Sequence, residues 1–272
     1  MGTRTALAAA LIIALHAPVR DGHAGNTLTD ALIQYGRLDY AAAHSMLAKL
    51  AQHGDATAQI TLATMYARGE GVARDDTIAF AWIKQAAMQG KAQALLELGL
   101  MYRDGRGMPA NRDRARHWLG LAARNGMPDA ATALGGMAMQ AQDHATAIVW
   151  FVHGARLGSA SAFHHLGVRH ERGEGVPKDD VQAYAWHLLA VSSAADSNPA
   201  GFIDAQLAVR DRLTPLQIEA ATGIADRLFA CLQSSACAPL PHGLTASEMA
   251  AGQVRRQAEA GRSGTSAGRS RD

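Results

Sequence analysis

Four tryptophans recur in one phase. Trp82, Trp118, Trp150 and Trp186 stand 36, 32 and 36 residues apart. The same steps connect Asp75, Asn111, Asp143 and Asp179, and they carry Gly90 to Gly126, Gly158 and Ala194. One step back from Trp82 brings Met46, Asp39 and Gly54 into register. Repetition at this period restricts the chain to a stack of similar units, each burying its apolar face against a neighbour.

Within a unit, a capping residue stands 15 positions before a glycine (Asp39/Gly54, Asp75/Gly90, Asn111/Gly126, Asp143/Gly158), or before Ala194 in the last copy. Asp and Asn accept hydrogen bonds from the first free amides of a helix, and glycine suits the left-handed residue just past its end. The interval predicts a helix of about four turns, here helix B. Ala43, Ala79, Ala115, Ala147 and Ala183 form its small inner row, with Met46 and the four tryptophans three residues on as its large row.

A second helix, A, precedes each B. Ala58, Ala94, Ala130 and Ala162 lead Leu62, Leu98, Leu134 and Leu166 by four. Small residues follow (Ala63, Gly99, Gly135, Gly167), and then Tyr66, Tyr102, Ala138 and His170. This is helical periodicity with room for close approach. Gly69-Glu70-Gly71-Val72, Gly105-Arg106-Gly107-Met108 and Gly173-Glu174-Gly175-Val176 join A to B as turns. The third unit lacks the loop, which accounts for its 32-residue step.

The order Ala-x-x-x-Leu-Gly-x-x-Tyr, Gly-x-Gly-Val, Ala-x-x-Trp, Ala-Ala-x-x-Gly resembles the Sel-1-like repeat, a relative of the tetratricopeptide repeat. The fullest match runs through Ala94, Leu98, Gly99, Tyr102, Gly105, Gly107, Ala115, Trp118, Ala122, Ala123 and Gly126. Departures are the third unit and His170 in the usual Tyr position. The resemblance implies an all-α fold, a right-handed α/α solenoid whose A helices line a concave surface. It also implies an adaptor or assembly protein, often of bacterial envelopes.

The expected organisation is a signal peptide over 1–24, a half-matching N-terminal capping repeat over 25–55, and four repeats over 56–91, 92–127, 128–159 and 160–194. Capping helices follow over 195–242, then a disordered tail over 243–272. Arg4 followed by the apolar run Ala6–Leu15 has the form of an export signal and is short for a membrane span. Export places the mature chain in the periplasm or outside the cell. Phe202, Ile203, Leu207 and Val209 suggest a helix ending near Leu213, and Thr214-Pro215-Leu216-Gln217 opens another with a threonine cap and proline at its first position. In an oxidising compartment the isolated pair Cys231 and Cys237 reads as a structural disulfide rather than a redox or zinc site. From Arg255 onward five arginines face two acids, a mildly basic solubilising end.

Net charge of +2 argues against a general nucleic-acid binder. No nucleophile elbow, phosphate-cradling loop, His-Glu-x-x-His or Ser-x-x-Lys stands in the mature chain. The chain therefore reads as a non-catalytic scaffold needing no cofactor. By analogy with tetratricopeptide geometry the helix A face presents Arg68, Arg103, Asp104 and Arg172 as orienting charges and Leu96, Leu100 and Val168 as apolar anchors. Such a face suits an extended peptide or a partner helix. Two other readings are open. His164, His165, His170 and His187 cluster in the fourth repeat, which suggests a metal- or pH-responsive regulator, although the helix A histidines lack the i, i+4 spacing of paired ligands. Some cysteine-rich members of the repeat family are linked to penicillin binding, which suggests a cell-wall enzyme, but the repeats here contain no cysteine.

Overall fold

A computed structural model describes residues 27–194 and 199–234. Among the described residues there are twelve α-helices and no strand. In chain order they are α1 (Leu28–Gly36), α2 (Tyr40–Gln52), α3 (Ala56–Arg68), α4 (Asp76–Met88), α5 (Ala92–Asp104) and α6 (Arg112–Arg124). Then follow α7 (Pro128–Gln140), α8 (His144–Arg156), α9 (Ala160–Arg172), α10 (Asp180–Ser193), α11 (Ala200–Arg210) and α12 (Pro215–Gln233). The described residues divide into two compact units, one ending at Leu134 and the other beginning at Gly135.

The predicted caps are in place. Asp39, Asp75, Asn111, Asp143 and Asp179 each accept from an amide in the first turn of a B helix. Each of the three full loops closes with the same backbone bond, from the amide of the capping residue to the carbonyl at the Tyr position. These are Asp75 to Tyr66 (2.9 Å), Asn111 to Tyr102 (2.7 Å) and Asp179 to His170 (2.9 Å). The second glycine of each loop also seats it on the preceding helix pair. A Cβ at Gly107 would collide with the carbonyl oxygen of Asp76, and one at Gly175 would lie 2.8 Å from the Cβ of His144. At φ +76° Gly107 also occupies a backbone region costly for other residues.

In the first unit α1–α2, α3–α4 and α5–α6 are packed pairs, and α2 packs on α3 and α4 on α5. Ala43, Leu47, Ala58, Leu62 and Met65 are core residues there. In the second unit α9 and α10 form the closest pair, and α8, α11 and α12 pack around them. The buried face of α12 is Ala221, Ile224, Ala225, Leu228 and Leu232, with Ile218 half-buried beside it. The capping box is complete, with Thr214 and Gln217 exchanging hydrogen bonds.

The B helices depart from expectation in one respect. The alanine row is buried throughout, but Trp82, Trp118 and Trp150 are only half-buried, and Trp186 alone is enclosed at 3% exposure. The innermost large side chain is the next residue: Leu47, Ile83, Leu119, Phe151 and His187. These stand four, not three, residues after the alanine, and four more nearly repeats the same helix face. Each of the last three fills a slot left by a glycine of its own helix A. A Cβ at Gly99 would lie 2.6 Å from Leu119 Cγ, one at Gly167 would lie 2.7 Å from His187 Cε1, and one at Gly135 would strike the Phe151 ring.

The expected signal (1–24) and tail (243–272) lie outside the described residues, as does Cys237. Cys231 stands in the last turn of α12.

Candidate partner-binding face and histidine cluster

Helices α3, α5 and α9 end alike. Each closes on a left-handed glycine, and each carries a basic residue in its last turn, where a cation complements the helix dipole. In the first unit Arg68 is exposed and lies 3.5 Å from Glu70. Glu70 is itself held by the Tyr35 hydroxyl at 2.5 Å; burial, and then this bond to a carboxylate, keep the phenol protonated well above its usual range. Arg103 makes a two-pronged bond with its neighbour Asp104, at 2.7 and 3.0 Å, which holds the Asp104 carboxyl below the usual carboxylate range. Leu100 is half-buried beside them. Leu96 is only 4% exposed and packs in the core, so it offers a partner almost no surface.

In the second unit Arg172 is exposed and lies 3.9 Å from Glu174, and Val168 is half-buried. Arg212, from the turn before α12, joins Glu171 and Asp180 at 3.0 Å each and so ties α9 and α10 to the capping segment. Arg169 was not among the expected site residues. It is 6% exposed, pairs with Glu174 at 2.6 Å and reaches Met139 Sδ at 2.9 Å. The repeat phase carried the signal, because Met65 and Met101 occupy the equivalent, fully buried position.

The histidines come together in the second unit. The rings of His164 and His187 are 5.1 Å apart, those of His164 and His165 5.8 Å, and His164 also meets Phe202 at 5.2 Å. His165 stacks on Phe151 at 4.7 Å. His187 is fully buried at 0% exposure, and neither of its ring nitrogens has a hydrogen-bond partner. Burial, reinforced by His164 and Arg212, pushes its pKa down to about 4. His165 is likewise pushed down to about 4 by burial, with His164 and Arg169 adding to it. Burial also lowers His164 and His170, opposed by Glu171 and Asp179 respectively. His170 stands apart in the Tyr position of its loop. Among the described residues no group of three or more His, Cys, Asp or Glu side chains is arranged to hold a metal ion, and no helix is long and apolar enough to cross a membrane.

Three stretches of the chain, 56–91, 92–127 and 160–193, match the family described as Sel1 repeat. The third repeat and the N-terminal half-repeat fall outside these matches. Among solved structures, the chain is similar to a Sel1 repeat protein from Oxalobacter formigenes, at 20% identity and a TM-score of 0.57, covering 80% of this chain and 100% of that one. It is also similar to a protective antigen of uropathogenic Escherichia coli displaying an SLR fold. There the identity is 23% and the TM-score 0.52, over 71% of this chain and 49% of that one, so this chain spans about half of that protein's length. A search of the curated proteins finds no match.

Proposed function

We propose that this chain, a Sel1-repeat protein, is an exported scaffold that holds another protein or an extended peptide along the first helices of its repeats. Sel1 repeats are in general protein-interaction scaffolds, and the three matching stretches support that reading here. The observation that carries this reading is the recurrence of partly exposed arginine–carboxylate pairs at the ends of α3, α5 and α9. Such pairs contribute little to stability at a surface. They exchange readily for a partner's charges, beside the half-buried Leu100 and Val168. The arginine-led apolar run before residue 24 supports periplasmic action in envelope assembly or signalling.

Affinity capture from native periplasm, with the processed chain and its Arg68→Glu/Arg103→Glu/Arg172→Glu variant side by side, tests this. A protein held stoichiometrically by the first and lost by the second, at equal helicity, is the expected result. Equal capture by both removes these arginines from the interface.

A second reading has its own observation. His187, buried with partnerless nitrogens against His164, favours a pH-responsive regulator. Loss of partner capture as the pH falls from 6.5 to 4 that His187→Leu abolishes would support it, and capture independent of pH would end it.

A further inference from the structure

The first unit carries a cavity of about 380 Å³ away from the arginine pairs, between α4, α5 and the head of α6, lined by Phe80, Lys84, Tyr102, Met108, Asn111 and Arg114 among others. Its floor is aromatic: Phe80 and Tyr102 meet edge to face with centroids 5.4 Å apart. The Arg114 guanidinium lies 5.5 Å from the Tyr102 centroid, with Nη1 3.4 Å from the phenol oxygen. Arg68, Arg74, Arg103 and Arg106 of the same unit are all paired with carboxylates. Lys84 and Arg114 are exposed, and neither has such a partner among the described residues.

The repeats supply an internal comparison. Lys84 stands in the phase of Ala48 and Val152, and Arg114 in that of Ile78 and Gln182. The fold thus builds the same junction elsewhere without a cation at either place. Two positive charges without a carboxylate partner, one of them held against the aromatic floor, select an anion with an apolar body.

We infer that this cavity binds a carboxylate-bearing segment of a peptide, an Asp or Glu beside an aromatic residue, at a site separate from the helix A face. Titrating the full chain, labelled with ¹⁵N, with acetyl-Ala-Phe-Glu-Asp-Ala-amide tests it. Amide shifts are expected at Lys84, at Met108 and from Ala110 to Arg114, and the Gln/Asn version of the peptide should bind at least about fivefold more weakly. K84Q and R114Q should each lose about fivefold in affinity, and K84R should keep it. The two peptides are compared on the unaltered chain, so that result stands whatever the variants do to folding. Absence of shifts, equal binding of the two peptides, or tighter binding of a ten-nucleotide poly-dT strand would overturn the assignment.

Discussion

His187 occupies the place that Ile83, Leu119 and Phe151 hold in the other repeats, yet it brings two nitrogens that bond to nothing. Leucine there removes a desolvation cost while keeping the slot beside Gly167 filled. His187→Leu is therefore expected to stabilise the second unit by about 1–3 kcal/mol, read from urea unfolding at pH 7. The pH dependence follows from the same burial. In the unfolded chain the imidazole takes up its proton near 6.5, and in the folded chain only near 4. Its contribution is complete above pH 6.5 and is lost as the pH falls from there to 4, by roughly 3 kcal/mol. Thermal melts across that interval should show the loss in the native chain and a smaller one in His187→Leu. The repeat phase already placed His187 beside Ile83 and Leu119. Its total enclosure was not legible, because the tryptophan one residue earlier looked like the inner side chain. The alternation of three- and four-residue steps around a helix leaves that choice open until the neighbouring helix is present.

At the scale of elements, two turns carry the wrong residue for their backbone. Leu38 and Gln142, at φ 64° and 59°, sit in the left-handed region just before the caps Asp39 and Asp143. These are the two helix pairs that lack the Gly-x-Gly loop. Gln142→Gly should relieve the strain and leave stability unchanged or up to about 1 kcal/mol higher. The opposite change is costly at Gly107, where a Cβ meets the Asp76 carbonyl. Gly107→Ala should lose about 1–3 kcal/mol by chemical denaturation. The missing loop of the third repeat was plain from its 32-residue step. The left-handed turn replacing it was not, since neither Gln nor Leu marks such a conformation. Arg169 was legible in principle, as a charge at a methionine phase, and Leu96 failed as an anchor because it is almost wholly buried, although Ile60, Thr132 and His164 in the same phase are half-buried.

For the whole molecule, acid acts unevenly. All four histidines depressed by burial lie in the second unit. Hydrogen exchange at pH 5 against pH 7.5, corrected for the intrinsic rate, should show protection lost in α9, α10 and α12 while α3 to α6 keep theirs. Equal loss in both halves would mean that the histidines do not govern it. The Cys231–Cys237 bridge proposed for the end of α12 is checked by a two-dalton mass difference on reduction. The slots at Gly99 and Gly167 bear on the history of such a chain. Leu119, Phe151 and His187 are each matched to a glycine of their own repeat, so copying a whole repeat copies both halves of the match. Duplication or crossover in phase therefore lengthens the array while keeping these matches within each repeat, whereas a breakpoint between helix A and helix B parts the pair.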